Sequence, residues 1–180
     1  MENYDINELE AELEGLSLQE KRESLMTVQN DIESDIEELE TAYNEVEEML
    51  SDVEYRINES YKSEIADALK GISSDVCTLL PDNTLDIEGL KFGFYRFCED
   101  DYTLSISISG RKPIVNTGDF NAEFKTFLQP ILPDAKCKDR QISIRIDDKT
   151  DVKALVKEIA EKLIAEAPKI AEMAGKYRFV

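Results

Sequence analysis

The sequence contains no histidine. Histidine is the commonest general base and the commonest metal ligand, and every Ser-His or Cys-His nucleophilic arrangement depends on it. Its absence excludes more enzyme classes than any other single feature of the chain. No catalytic motif stands out among the remaining residues, so we expect a protein that is not an enzyme, with no catalytic residues, no bound metal and no cofactor.

Cysteine is scarce as well. Cys77, Cys98 and Cys137 are odd in number, lie far apart and form no CxxC pair, so they predict neither a disulfide framework nor a zinc site. This usage fits a reducing compartment. The acidic N-terminus is unlike a secretory signal, and no apolar run reaches the length of a membrane span. We therefore expect a cytoplasmic protein with no membrane partner.

Basic residues are missing from one long stretch of the chain. Residues 23–55 contain twelve Asp or Glu and no Lys or Arg. Of the net charge of −19, residues 1–70 carry −17 (5 basic against 22 acidic residues) and residues 71–180 carry −2 (16 against 18). This asymmetry disfavours direct binding to nucleic acid or to an anionic membrane, and it favours a positively charged partner.

Glycine and proline are absent between Leu16 and Lys70. This absence predicts one helix of roughly 50 residues, about 80 Å long. Ser17 and Glu20 have the spacing of a capping box at its start, and Gly15 is the predicted end of a short preceding helix.

From Ile36 to Ile57 the apolar residues of the long helix alternate strictly between steps of three and four. This is the a/d pattern of a coiled coil. The predicted dimer seam consists of Ile36, Leu39, Tyr43, Val46, Leu50, Val53 and Ile57.

The neighbouring heptad positions favour one orientation of the two helices. The g positions hold Ala42, Met49 and Arg56, whereas the e positions are all glutamate: Glu40, Glu47 and Glu54. Parallel pairing sets e against g and keeps the glutamates apart, whereas antiparallel pairing opposes them. We expect a parallel homodimer, and an intramolecular hairpin is the alternative.

The rest of the chain predicts a small mixed domain. Residues 1–72 form the acidic helical or coiled-coil region, residues 73–84 a linker containing Pro81, and residues 85–180 a small α+β domain. Alternating apolar residues predict strands near 90–97, 102–109 and 142–146, and 99–101 is the predicted turn between the first two.

Two helices are predicted in the same domain. A short one carries Phe120 and Phe124, and a long one begins at Thr150 as its N-cap, breaks at Pro168 and ends at Gly175. The fold class is therefore α+β: a long N-terminal acidic helix or coiled coil, then a small domain with a mainly antiparallel sheet and packed helices.

The acidic residues of the long helix form the candidate site. One charge falls on every 3.3 Å or so of helix axis over residues 31–54, against about 3.4 Å for one DNA strand, and two such helices would approach the duplex value of about 1.7 Å. The predicted partner-binding residues are Asp31, Glu33, Asp35, Glu37, Glu38, Glu40, Glu45, Glu47, Glu48, Asp52 and Glu54. Ordinary exposed helices mix Glu with Lys to gain i,i+4 pairs, and this helix forgoes them. The alternative is a merely solvated face.

In this composition the first 70 residues resemble the acidic inhibitors that phages and mobile elements use against CRISPR or restriction nucleases. The resemblance implies a DNA-mimic-like inhibitor of the anti-CRISPR or anti-restriction type, which would act in the host cytoplasm on a basic nucleic-acid-binding protein. Two other functions stay open. One is a coiled-coil dimerisation or scaffold protein with an α+β protein-binding domain, and the other is a metal-dependent enzyme using Asp147, Asp148 and Asp151.

Overall fold

The computed structural model describes residues 6–72 and 74–177, and the chain divides into two units, Met1–Val53 and Glu54–Val180. The sequence instead divided the chain at residues 73–84. The difference arises because the C-terminal part of the long helix contributes Ile65 and Leu69 to the core of the second unit. Residues 1–5, 73 and 178–180 of the predicted regions lie outside the described residues.

Two helices begin the chain. Helix α1 spans Ile6–Glu12, and helix α2 spans Leu18–Leu69, which is 52 residues. Gly15 between them has a φ of +84°, a backbone conformation that glycine adopts at no steric cost. The capping box is confirmed, since the backbone nitrogen and Oγ of Ser17 donate to Glu20 Oε2 at 2.8 and 2.7 Å.

The second unit contains a sheet that has six strands within the described residues. These are β1 (Cys77–Leu80), β2 (Thr84–Ile87), β3 (Leu90–Tyr95), β4 (Thr103–Gly110), β5 (Lys136–Lys138) and β6 (Gln141–Arg145). Their order is β1-β2-β3-β4-β6-β5, and every neighbouring pair is antiparallel. Strand β1 lies inside the stretch predicted as a linker. The pairing confirms the predicted turn between β3 and β4, where a short 3₁₀ helix spans Cys98–Asp100.

Three further helices belong to the same unit: α3 (Thr117–Leu128), α4 (Val152–Ala165) and α5 (Ala167–Lys176). The break near Pro168 is confirmed as the boundary between α4 and α5. The N-cap of α4 is Asp151 and not Thr150, because the Asp151 carboxylate accepts a hydrogen bond from the Ala154 nitrogen at 3.0 Å. Gly175 lies within α5, which continues to Lys176 and was predicted to end one residue earlier.

The core lies on one face of the sheet. Phe92 and Ile106 point into it from β3 and β4, and the Phe92 ring centroid is 6.1 Å from that of Phe124 on α3. Val156 and Ile159 of α4 are fully buried in the same cluster. The fold is therefore α+β, as the sequence predicted, and one face of its antiparallel sheet carries the helices.

Candidate functional site

All eleven predicted partner-binding acids lie on helix α2. Nine of them are exposed, and Asp35 and Glu54 are half-buried. Ten of the eleven belong to the first unit, and Glu54 is the first residue of the second. Because a single helix holds them, their spacing along its axis is fixed at about 1.5 Å per residue.

None of these eleven acids forms an ion pair with the part of the chain that the structure describes. The ion pairs found there involve Glu59 and later residues. The neighbours that do bond to acids here are uncharged: Gln29 Nε2 donates to Glu33 Oε1 at 2.9 Å, and the Tyr43 hydroxyl lies 3.4 Å from Glu47 Oε1. The eleven acids of residues 31–54 are therefore not compensated by ion pairs within the described chain.

The predicted seam is also uncovered. Ile36, Leu39, Tyr43, Val46, Leu50 and Val53 are between 49% and 65% exposed, and Ile57 is half-buried in the second unit. Met49, at a g position, is 68% exposed and widens the apolar stripe on that side. Contiguous exposed apolar surface of this kind is typical of a contact surface.

A second group of side chains lies where the second unit begins. Glu54, Cys98 and Glu99 bring carboxylate oxygens and the Cys98 sulfur within 4.8 Å of one another, and Asn58 Oδ1 accepts a hydrogen bond from the Cys98 nitrogen at 2.8 Å. The sequence did not predict this group, because α2 and the 3₁₀ helix that meet here are far apart along the chain. Among the described residues, these three are the possible metal-ligating side chains that belong to the group.

The environment of Cys98 nevertheless predicts its reactivity. Burial raises the pKa of the thiol, and the negative charges of Glu99 and Glu54 raise it further. We expect iodoacetamide at about pH 8 to alkylate Cys98 more slowly in the folded protein than in the unfolded chain, because less thiolate is present. Glu54→Gln and Glu99→Gln should each accelerate the reaction, as followed by mass spectrometry of the Cys98 peptide.

Cys137 serves as the internal control for that experiment. Burial also raises its pKa, but Glu54 and Glu99 do not contribute to the shift. Its rate should therefore be unchanged in both glutamine variants. A Cys98 rate equal to that of the unfolded chain would contradict the prediction.

Helix α2 is joined to the connection between β3 and β4 by a small polar cluster. The Arg96 guanidinium carbon lies 4.0 Å from the centroid of the Tyr61 ring, and Arg96 Nη2 donates to the Asp101 carbonyl oxygen at 2.7 Å. The Tyr61 hydroxyl donates to the Asp101 carboxylate. Burial, and then this hydrogen bond, raise the pKa of Tyr61. These contacts attach the connection between β3 and β4 to α2, and this structural role accounts for the cluster.

The acids considered for a metal-dependent enzyme have local partners. The Asp147 carboxylate accepts hydrogen bonds from Thr150 Oγ1 at 2.7 Å and from the Lys149 nitrogen at 3.0 Å, and these bonds lower its pKa. Asp151 caps α4, and Asp148 lies exposed between the two. These positions are those of turn and cap residues.

Comparison with known proteins gives no match from which a function could be inferred. The chain matches no protein-family model, and no curated protein or solved structure matches it. Within the described residues, no helix is both long enough and apolar enough to cross a bilayer.

Proposed function

We propose that this chain is a non-enzymatic, DNA-mimic-like inhibitor. Residues 31–54 of α2 bind the basic nucleic-acid groove of a nuclease or another DNA- or RNA-binding protein and exclude its nucleic acid by electrostatic competition. The observation that carries the proposal is the row of eleven acids on one regular helix without an ion pair to the described chain. CRISPR and restriction nucleases are the target class that the resemblance in composition favours.

The uncovered seam supports a homodimer as the active form. Two parallel helices paired through Leu39, Val46 and the other seam residues would bring two rows of acids side by side. The charge spacing would then fall from about 3.3 Å to about 1.7 Å, close to that of duplex DNA. Glu40, Glu47 and Glu54 flank the seam at e positions, whereas Glu37, Glu38, Glu45, Glu48 and Asp52 lie at outer heptad positions that pairing leaves accessible.

A scaffold protein is the second candidate, and the same seam favours it. In that case the exposed apolar stripe sets dimerisation, the α+β unit binds a partner, and the acids only keep the helix solvated. The two functions differ in one respect: only the inhibitor needs the acids to contact its target.

The proposed target class implies a cytoplasmic location. Cys77, Cys98 and Cys137 are free cysteines, which agrees with a reducing compartment. For a phage-encoded chain, this compartment would be the host cytoplasm.

Release by DNA is the measurement that distinguishes mimicry from simple charge attraction. The full chain is immobilised, incubated at low salt with nuclease-treated bacterial lysate, and washed in parallel with duplex DNA and with rising salt. We expect duplex DNA to release the same proteins as salt, because the acidic helix and the DNA compete for one groove. Released proteins should regain nucleic-acid binding once separated from the chain. Retention that neither DNA nor salt reverses would contradict the proposal.

A further inference from the structure

The face of the sheet opposite the core is open and carries positive charge. Cross-strand partners lie on the same face, so the register places Lys136 and Lys138 of β5, Arg145 of β6 and Lys91 of β3 on this open face. Three of these four side chains are exposed, and Lys91 is half-buried. The one acid that the described strands place on the same face is Asp86, which is buried and pairs with Arg111 Nε at 2.6 Å.

This distribution runs against the composition of the chain. The sequence has 40 acidic and 21 basic residues, yet the described strands place four basic residues and one acid, the paired Asp86, on the open face; the turn between β5 and β6 adds Asp139 and Arg140 at its edge. Solvation alone would be served by either sign of charge. A surface whose charged side chains are mainly basic, in a chain that is mainly acidic, is complementary to an anionic partner.

The register also gives the open face an aromatic end. One row across the strands runs from Tyr95 through Ser105 and Ser143 to Lys136. Phe97, just beyond β3, is 51% exposed, and its ring centroid is 5.3 Å from that of Tyr95. Three strand spacings separate Tyr95 from Lys136, or about 14 Å.

The centre of the open face is shallow because its residues are small. Gly93, Ser107 and Thr84 lie in the next row, and a Cβ on Gly93 would stand 2.8 Å from Ser107 Oγ. A larger residue at position 93 would therefore require the Ser107 side chain to move. Small polar side chains and Gln141 thus lie between the rings at one end and the lysines at the other, and Tyr95, Ser107, Lys138 and Gln141 are among the residues that line a depression there.

We propose that the open face of the sheet binds single-stranded nucleic acid. Tyr95 and Phe97 stack on bases, and Lys136, Lys138 and Arg145 contact phosphates; the face accommodates about two or three nucleotides. The site is distinct from the acidic helix. It lies in the part of the chain where acidic and basic residues nearly balance, so the charge of −17 in residues 1–70 does not determine it.

Fluorescence anisotropy with the full-length chain tests this inference. The probes are fluorescein-labelled, mixed-sequence single-stranded RNA and DNA of about 12 nucleotides, together with a duplex of the same length. We expect micromolar binding of the single strands at low salt, weakening as salt rises, and weaker binding of the duplex, whose paired bases cannot stack on the rings.

Variants on two sides of the domain make the result specific. Lys136→Glu with Lys138→Glu should weaken binding at least about tenfold, and Tyr95→Ala about fivefold or more. The matched control is Lys153→Glu with Lys157→Glu on α4, which makes the same change in charge away from the open face and should leave affinity unchanged. Thermal melting followed by circular dichroism is the control that checks whether each variant is folded.

Three outcomes would overturn the inference. The first is that neither single strand binds at low salt. The second is that the α4 control loses as much affinity as the variant on the open face. The third is that polyglutamate competes as strongly as the oligonucleotide and that Tyr95→Ala has no effect. The last would assign the open face to an acidic protein segment. None of these variants alters α2, so a negative result in this experiment does not bear on the proposed inhibitor function.

Discussion

Replacing Glu37, Glu40, Glu47 and Glu48 with lysine should abolish the capture of basic nucleic-acid-binding proteins by this chain. The four side chains are exposed on α2, and the change alters the charge of this short stretch by eight units. Each reversal removes an attraction of about 0.2–1 kcal/mol and adds a repulsion of similar size, so affinity should fall by at least about tenfold. The measurement is the amount of protein that duplex DNA releases from the immobilised variant, compared with the unaltered chain.

A charge-matched variant separates the position of the charge from its amount. Four exposed acids of the second unit can be changed to lysine instead: Asp134, Glu158, Glu161 and Glu172. This variant has the same net charge as the first but keeps the acids of α2, so it should retain DNA-releasable capture. Equal loss in both variants would show that net charge alone attracts the captured proteins. Capture that survives the reversal on α2, or that salt does not weaken, would favour the scaffold function.

The fold was predictable where local pattern determines structure. The absence of glycine and proline, together with the capping residues Ser17 and Glu20, was enough for α2. The alternation along Leu104, Ile106 and Ile108 was enough for β4. In these segments, intrinsic preference and tertiary packing agree.

Strands β1, β2 and β5 were missed for a physical reason. They are three or four residues long, too short for a period to be read, and β1 and β5 are edge strands stabilised by pairing with one neighbour. The sequence held one signal for the β2–β3 hairpin, because a two-residue turn of this kind often ends in glycine. Glu88 and Gly89 form this turn, and both have a positive φ.

The two candidate surfaces differ in the same way. The eleven acids of α2 all lie within residues 31–54, so the sequence and helix geometry together determine their spacing. The open face of the sheet combines Lys91, Tyr95, Lys136 and Arg145, which only the order of strands β3, β4, β6 and β5 brings together. Arg96, the basic residue next to Tyr95 in the sequence, is not available to this face, because it contacts Tyr61 and Asp101.

Placing charge in the seam of α2 should convert the protein from a dimer to a monomer. Val46→Glu with Leu50→Glu adds four carboxylates to the centre of a paired seam, where each would be buried without a partner. We expect light scattering at micromolar concentration to give roughly 41 kDa, twice the chain mass of 20.5 kDa, for the unaltered protein and the single-chain mass for the variant. The matched control is Asn44→Glu with Ser51→Glu, which adds the same charge outside the seam and should leave more dimer than the seam variant.

The orientation of the dimer has a separate readout. In a chain whose three native cysteines are changed to serine, Ile36→Cys should form a disulfide between two copies, because parallel pairing sets each a position against itself. An antiparallel dimer would not bring the two substituted positions together. A monomeric mass for the unaltered protein would contradict the predicted seam, since α2 is one uninterrupted helix whose seam residues no other part of the described chain covers.

The outcome of the dimer experiment also decides how strong the case for mimicry is. A monomer presents one charge per about 3.3 Å, the value of a single strand, and only pairing brings the density to that of a duplex. If the seam variant is monomeric and folded, its affinity for a captured nucleic-acid-binding protein can be compared directly with that of the dimer. A marked loss would tie inhibition to duplex-like charge density. Equal affinity would mean that one row of acids is sufficient and that the seam serves another purpose.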